Sequence, residues 1–156
     1  MRDWSPKRYP RGRGCVTLIE DAVISELVID NPAARNAMSL GMMADIVEAA
    51  KTLQARPPLA LLIRGEGGDA FCAGGDLREV RAHLMDSKAA VGMPVVMGDS
   101  LDAIADLPTV IVAAIEGAAL GGGAELTTVA DWVVAAESAT IGFVHGALGV
   151  SPGWGG

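Results

Sequence analysis

Ala119-Leu120-Gly121-Gly122-Gly123-Ala124-Glu125-Leu126 decides how this chain is read. The apolar run Thr109-Val110-Ile111-Val112-Ala113-Ala114-Ile115 stands before it and reads as a strand. The Gly117–Gly123 segment follows, and a helix is expected from about Gly122 to Val129. Glycines let backbone N–H groups approach a ligand with no Cβ in the way. A helix start adds unpaired N–H donors and a partial positive charge, which suits an anion or a developing oxyanion. Glu125 falls about one turn after Gly122, so its carboxylate can sit near whatever Gly122 holds. These residues alone also fit a second reading, a glycine run for close helix–strand packing with Glu125 as a first-turn helix acid.

Working outward, Phe71-Cys72-Ala73-Gly74-Gly75-Asp76-Leu77 repeats the pattern. It is a second small-residue turn, followed by a helix to about Leu84 that Asp76 is placed to cap. By itself it reads equally as a plain tight turn. Two such turns in one chain are able to converge on one carbonyl oxygen. A pair of preorganised N–H donors makes an oxyanion hole, each donor worth on the order of 3 kcal/mol when well placed.

The remaining elements set these turns in an α/β frame. Val16 to Glu20 and Val23 to Ile29 read as short strands joined by an acidic turn. Asn31 to Ser39 is a loop by its Asn and Pro content, with Ser39 as N-cap of a helix carrying Leu40, Met43, Ile46, Val47, Ala50 and Leu53 at helical spacing. Pro57-Pro58 ends that helix. Leu59 to Ile63, Thr109 to Ile115 and Trp132 to Ala135 are continuous apolar runs, expected as strands buried on both faces. A helix over Val95 to Ala105 is broken by Pro108. The repeating order of strand, loop and helix predicts mainly parallel strands in right-handed crossovers.

Composition narrows the function. With 51% apolar and 20% charged residues the chain builds a core rather than staying disordered. Its net charge of −7 argues against a nucleic-acid surface. No apolar run approaches the ~18 residues of a membrane helix. The start of the chain is polar and basic, with no secretory h-region, so a cytoplasmic location is expected. Residues 1–14, with Arg2, Lys7, Arg8, Arg11 and Arg13, are expected as a mobile basic arm ahead of one core over residues 15–156. Cys15 and Cys72 form no disulfide framework, and no metal-ligand spacing is present. Gly117 to Gly123 fails as a dinucleotide site, because no acidic residue closes a following strand at the required distance. Glu116 and Asp131 flank strand ends and read as solvated or capping, and His83 as exposed.

Four motifs in order carry a resemblance. Phe71 to Leu77 resembles the A-G-x-D segment of the crotonase (enoyl-CoA hydratase/isomerase) superfamily, and Gly117 to Glu125 its G-x-x-x-G-G-G-x-E segment. Asn31 to Ser39 resembles its N-P-x-x-x-N-A-x-S loop, and Ala139 to Gly156 the stretch bearing its second catalytic position. The resemblance implies the ClpP/crotonase spiral of ββα units, of which this chain would be the N-terminal portion, stopping ahead of C-terminal helices. It implies an acyl-CoA substrate and no cofactor beyond that coenzyme A moiety. The complete protein would be a homotrimer or hexamer. The amides of Gly75 and Gly122 would form the oxyanion hole, with Glu125 and His145 as further catalytic candidates. Ala34, Arg35, Ala73, Gly74, Asp76 and Gly121 would line the substrate and CoA site, Arg35 being equally readable as a solvated loop arginine.

His145 stands where hydratases of the superfamily carry a second glutamate. Phe143-Val144-His145, then Gly149, Pro152 and Trp154-Gly155-Gly156, are more similar to the ethylmalonyl-CoA decarboxylase branch. Loss of carbon dioxide from a malonyl-type thioester makes the enolate directly, so no base is needed. An orienter for the leaving carboxylate and an acid for the enolate carbon are needed, and histidine is able to serve either role near neutral pH. The leading expectation is a malonyl-type decarboxylase. The alternatives are an enoyl-CoA hydratase or isomerase using Glu125 with another acid, and a truncated, non-catalytic protein that binds CoA or a partner.

Overall fold

The computed structural model describes residues 12–83 and 87–155. The basic arm expected over residues 1–14 lies outside them up to residue 11, as do residues 84–86, where the helix after Asp76 was expected to end.

A five-stranded sheet runs in the order β1 (Cys15–Ile19), β2 (Ile24–Asp30), β3 (Ala60–Gly65), β5 (Val110–Ile115), β7 (Trp132–Ala135). β1 is antiparallel to β2, and every other pairing is parallel. A second sheet of three strands, in the order β4 (Ala70–Cys72), β6 (Ala118–Leu120), β8 (Thr140–Gly142), is wholly parallel. Between the strands run α1 (Leu40–Ala55), α2 (Leu77–His83), α3 (Ser87–Ala105), α4 (Gly122–Leu126) and α5 (His145–Leu148).

Local signals act as the sequence indicates at α1. The Ser39 hydroxyl accepts from the Met42 N–H at 3.2 Å, and Leu40, Met43, Ile46, Ala50 and Leu53 are buried along one stripe. That stripe meets Leu27, Ile29, Leu61, Ile63, Ile111, Ala113 and Ile115 from the large sheet, with Met97, Leu101 and Ile104 of α3 completing the core.

Burial on both faces does not hold for the apolar strands. β3 and β5 alternate, Leu61, Ile63, Ile111 and Ala113 pointing inward while Leu62, Val112 and Ala114 are only half-buried. β7 departs further: it is a strand, but every residue in it is exposed, Trp132 at 68%. The cause is position. β7 is the sheet's edge, and composition cannot report which elements cover an edge. Trp132, Val133 and Val134 thus stand among the exposed large hydrophobics.

The small sheet was not foreseen, and it positions the glycine turns. β4 and β6 pair in parallel (Ala70↔Ala118, Cys72↔Ala119), so their carboxyl ends lie at one side, and each runs directly into its turn. In parallel sheets that side is the usual place for a ligand crevice.

Candidate active site

The turn after β4 is clamped from one side by the loop before α1. The Met38 N–H donates to the Gly74 carbonyl at 2.7 Å, and the Asp76 N–H donates to the Met38 carbonyl at 2.9 Å. This is a single parallel bridge between Met38 and Gly75. In such a bridge the residue between the two bonded groups turns its own N–H the other way. The Gly75 N–H is therefore directed away from Met38. The Asp76 carboxylate accepts from the Arg78 and Glu79 N–H groups at 2.8 and 3.3 Å, capping α2 as its position indicates.

The turn after β6 is set by Gly121, whose φ of 55° lies in the left-handed region. Its N–H donates to the Gly142 carbonyl at 2.9 Å, and its carbonyl accepts from Ala124 and Glu125 to start α4. The two turns touch. A Cβ on Gly74, φ 94°, would sit 2.9 Å from the Leu120 carbonyl oxygen and 3.4 Å from the Gly122 nitrogen. Neither the Gly75 nor the Gly122 N–H donates to an acceptor among the described residues.

Gly75, Gly122, Glu125 and His145 border one cavity of about 130 Å³, with Met43, Val80, Met93, Gly153 and Trp154. Glu125 is 1% exposed. Its Oε1 lies 2.8 Å from His145 Nε2, and the carboxylate accepts from the Trp154 N–H at 2.6 Å and from the Gly153 N–H at 3.3 Å. His145 Nδ1 is buried and has no partner among the described residues. His145 thus stands beside Glu125 at the cavity rather than as an isolated loop histidine.

The other sequence-picked residues separate by role. Ala34, Gly75 and Asp76 border a wider groove of about 880 Å³ that begins at the same turn and also takes in Arg13 and Arg78. The Arg35 side chain is exposed, and the residue contributes its carbonyl, which accepts from the Ala73 N–H at 3.1 Å. Gly74 and Gly121 shape the turns themselves. Asp131 caps a strand, accepting from the Ile111 N–H at 2.8 Å, while Glu116 and His83 are exposed. Cys15 and Cys72 are both free thiols, and no group of metal-ligating side chains occurs among the described residues. Burial pushes the Cys72 thiol up to about 12, so it is not a nucleophile.

Sequence reasoning noted Trp154 only as part of a motif and gave neither it nor Gly153 a place in the site. Trp154 is 4% exposed, and its ring lies so close to Gly122 that a Cβ there would fall 2.5 Å from it. A tryptophan held between two glycines, Gly153 and Gly155, was the available signal.

The family model for enoyl-CoA hydratase/isomerase matches residues 20–156. The chain belongs to that family. It is 37% identical over 150 residues to an ethylmalonyl-CoA decarboxylase of Danio rerio, covering 95% of this chain and 49% of that protein. It is also 37% identical to the enoyl-CoA isomerase/hydratase fer4 of Mycosarcoma maydis, covering 85% of this chain and 51% of that one. A solved enoyl-CoA hydratase/isomerase family protein from Hyphomonas neptunium superposes with a TM-score of 0.79 at 36% identity, over 87% of this chain and 52% of the other. The chain therefore spans about half the length of the curated relatives it matches. The fold is that of the crotonase superfamily.

Proposed function

We propose that this chain carries the enolate-stabilising half-site of an acyl-CoA decarboxylase acting on malonyl-type thioesters. The observation that carries the reading is the cavity at the ends of β4 and β6, where two glycine turns meet a histidine 2.8 Å from a buried glutamate. In the proposed reaction the thioester oxygen lies between the Gly75 and Gly122 N–H groups. The bond from the α-carbon to the free carboxylate breaks and carbon dioxide leaves. The electron pair enters the thioester as an enolate, whose oxygen charge the two donors stabilise. A proton then adds at the α-carbon, and the Glu125–His145 pair supplies orientation and that proton. No group beyond the coenzyme A of the substrate is required. Arg13 and Arg78 in the adjoining groove are suited to the coenzyme's phosphates.

Hydration is the competing reading, and the buried Glu125 carboxylate beside the cavity favours it, since such chemistry begins from a carboxylate. The two separate on a panel of malonyl-, methylmalonyl-, ethylmalonyl- and crotonyl-CoA followed by mass spectrometry. Loss of carbon dioxide from the malonyl-type members is expected, with His145→Ala lowering kcat on the order of a hundredfold while KM changes little. Full decarboxylation by His145→Ala, together with ready hydration of crotonyl-CoA by the unaltered protein, overturns the decarboxylase reading.

A further inference from the structure

The loop before α1 resembles a coenzyme-approach segment in sequence, yet its buried side chains do something else. Asn36 is 1% exposed. Its Oδ1 accepts from the Asn31 N–H at 2.7 Å, and its Nδ2 donates to the Glu66 and Ala70 carbonyls at 2.9 and 2.7 Å. Asn31 answers from its own side chain, Nδ2 donating to the Ala37 carbonyl at 2.9 Å. The amide of Asn36 therefore ties the loop to the two ends of the β3–β4 connection. Arg35 and Asn36 both have φ 55°, left-handed backbone that L-residues avoid and asparagine tolerates best. Two such residues in succession persist only where surrounding bonds over-determine them.

What that strained pair presents is the clamp on the first glycine turn. The Arg35 carbonyl takes the Ala73 N–H, and the Met38 backbone takes Gly74 and Asp76, leaving the Gly75 N–H turned away from Met38. We infer that Asn36 is a positioning residue, holding the Gly75 donor in the direction that an oxyanion requires. It touches neither the small cavity nor the groove. The inference rests on the two-amide hole proposed above and assigns the group that aims one half of it.

The test uses the protein as encoded by its gene, with butyryl-CoA as an unreactive probe and malonyl-type thioesters for turnover. Asn36→Asp keeps the acceptor for Asn31 and loses both donors. Asn36→Gly keeps the left-handed backbone and loses all three side-chain bonds, and replaces the first variant where that does not fold. In the unaltered protein the infrared stretch of an isotope-labelled butyryl-CoA carbonyl is expected to fall on binding, as two donors polarise it. In the Asn36 variants part of that fall should vanish, kcat should drop on the order of tenfold, less than for a donor removed outright, and KM should hardly move. A variant that is less heat-stable yet keeps the full carbonyl shift and kcat overturns the positioning role and leaves the hole intact. No carbonyl shift in the unaltered protein overturns the hole itself, and the role of Asn36 with it.

Discussion

The two glycine turns present similar backbone donors but are held by opposite means. The Gly75 turn is aimed from outside, by a polar network whose key amide, on Asn36, reaches carbonyls on either side of the β3–β4 connection. The Gly122 turn is held by contact. A Cβ on Gly123 would run into the Cys72 carbonyl, and one on Gly122 into the Trp154 ring. The first turn is therefore aimed at Gly75 by hydrogen bonds made at a distance, whereas Gly122 and Gly123 also depend on the absence of side-chain atoms. Substitution with even one methyl group should separate them.

The largest effect is expected at Gly122, and it takes two variants to read. Gly122 is the first residue of α4, where proline is tolerated because that N–H has no helical partner. Gly122→Pro and Gly122→Ala bring the same Cβ against Trp154, but only proline deletes the donor. Turnover by Gly122→Pro should lie at least about a hundredfold below that of Gly122→Ala, the difference measuring the donor alone. Equal kcat in two folded variants would show that Gly122 acts by packing and not by donation.

A smaller effect separates Gly123 from Gly75. At Gly123 an added Cβ meets backbone, which cannot swing aside as a side chain does. Gly123→Ala should lose about 1–3 kcal/mol of stability in thermal or urea unfolding despite alanine's better helix propensity. At Gly75 the nearest atoms to a new Cβ are Val80 Cγ2 at 3.7 Å and Met43 Cε at 3.8 Å, and φ is not positive. Gly75→Ala keeps its N–H, so it should keep turnover and gain roughly 0.4–1 kcal/mol from a stiffer unfolded chain. If both substitutions cost the same, the contrast between an aimed turn and a packed turn is broken.

That contrast also explains what was legible in the sequence. Gly121–Gly123 and Gly74–Gly75 were legible as turns, though each alone reads equally as a packing or turn glycine, and only their pairing pointed to a site. Ser39 and Asp76 act as the caps their positions indicate. The sheet that brings the turns together was not legible: β4, β6 and β8 are three residues each, too short to show a period-two pattern. Nor was the pairing of Glu125 with His145, Gly153 and Trp154, which joins residues far apart in sequence through the folded chain. The Asn31–Asn36 loop was read for its resemblance to a coenzyme segment. Its bracing role depends on carbonyls of Glu66 and Ala70 that carry no side-chain signature.

The smallest effect tests the seam between the turns. Cys72 ends β4, and its carbonyl and Cβ form the surface on which Gly123 rests. Burial raises its thiol from 9.0 to about 12. In the unfolded chain the thiol ionises near its ordinary value, whereas in the folded chain it keeps its proton. Between those two values the folded state binds more protons, so stability falls as pH rises. Below pH ~9 the term is absent; above it the slope approaches about 1.4 kcal/mol per pH unit, until the folded thiol also ionises. Cys72→Ala removes that slope without removing a hydrogen-bond donor from the cavity. Near pH 7 it should therefore cost only the packing at the sulfur and the weak thiol bond to the Gly74 carbonyl, with turnover unchanged. Urea unfolding at pH 7 and pH 10 should show the unaltered protein losing more stability between the two than Cys72→Ala does. Parallel losses would mean that the folded chain lets the thiol ionise, and that the seam opens more readily than its packing implies.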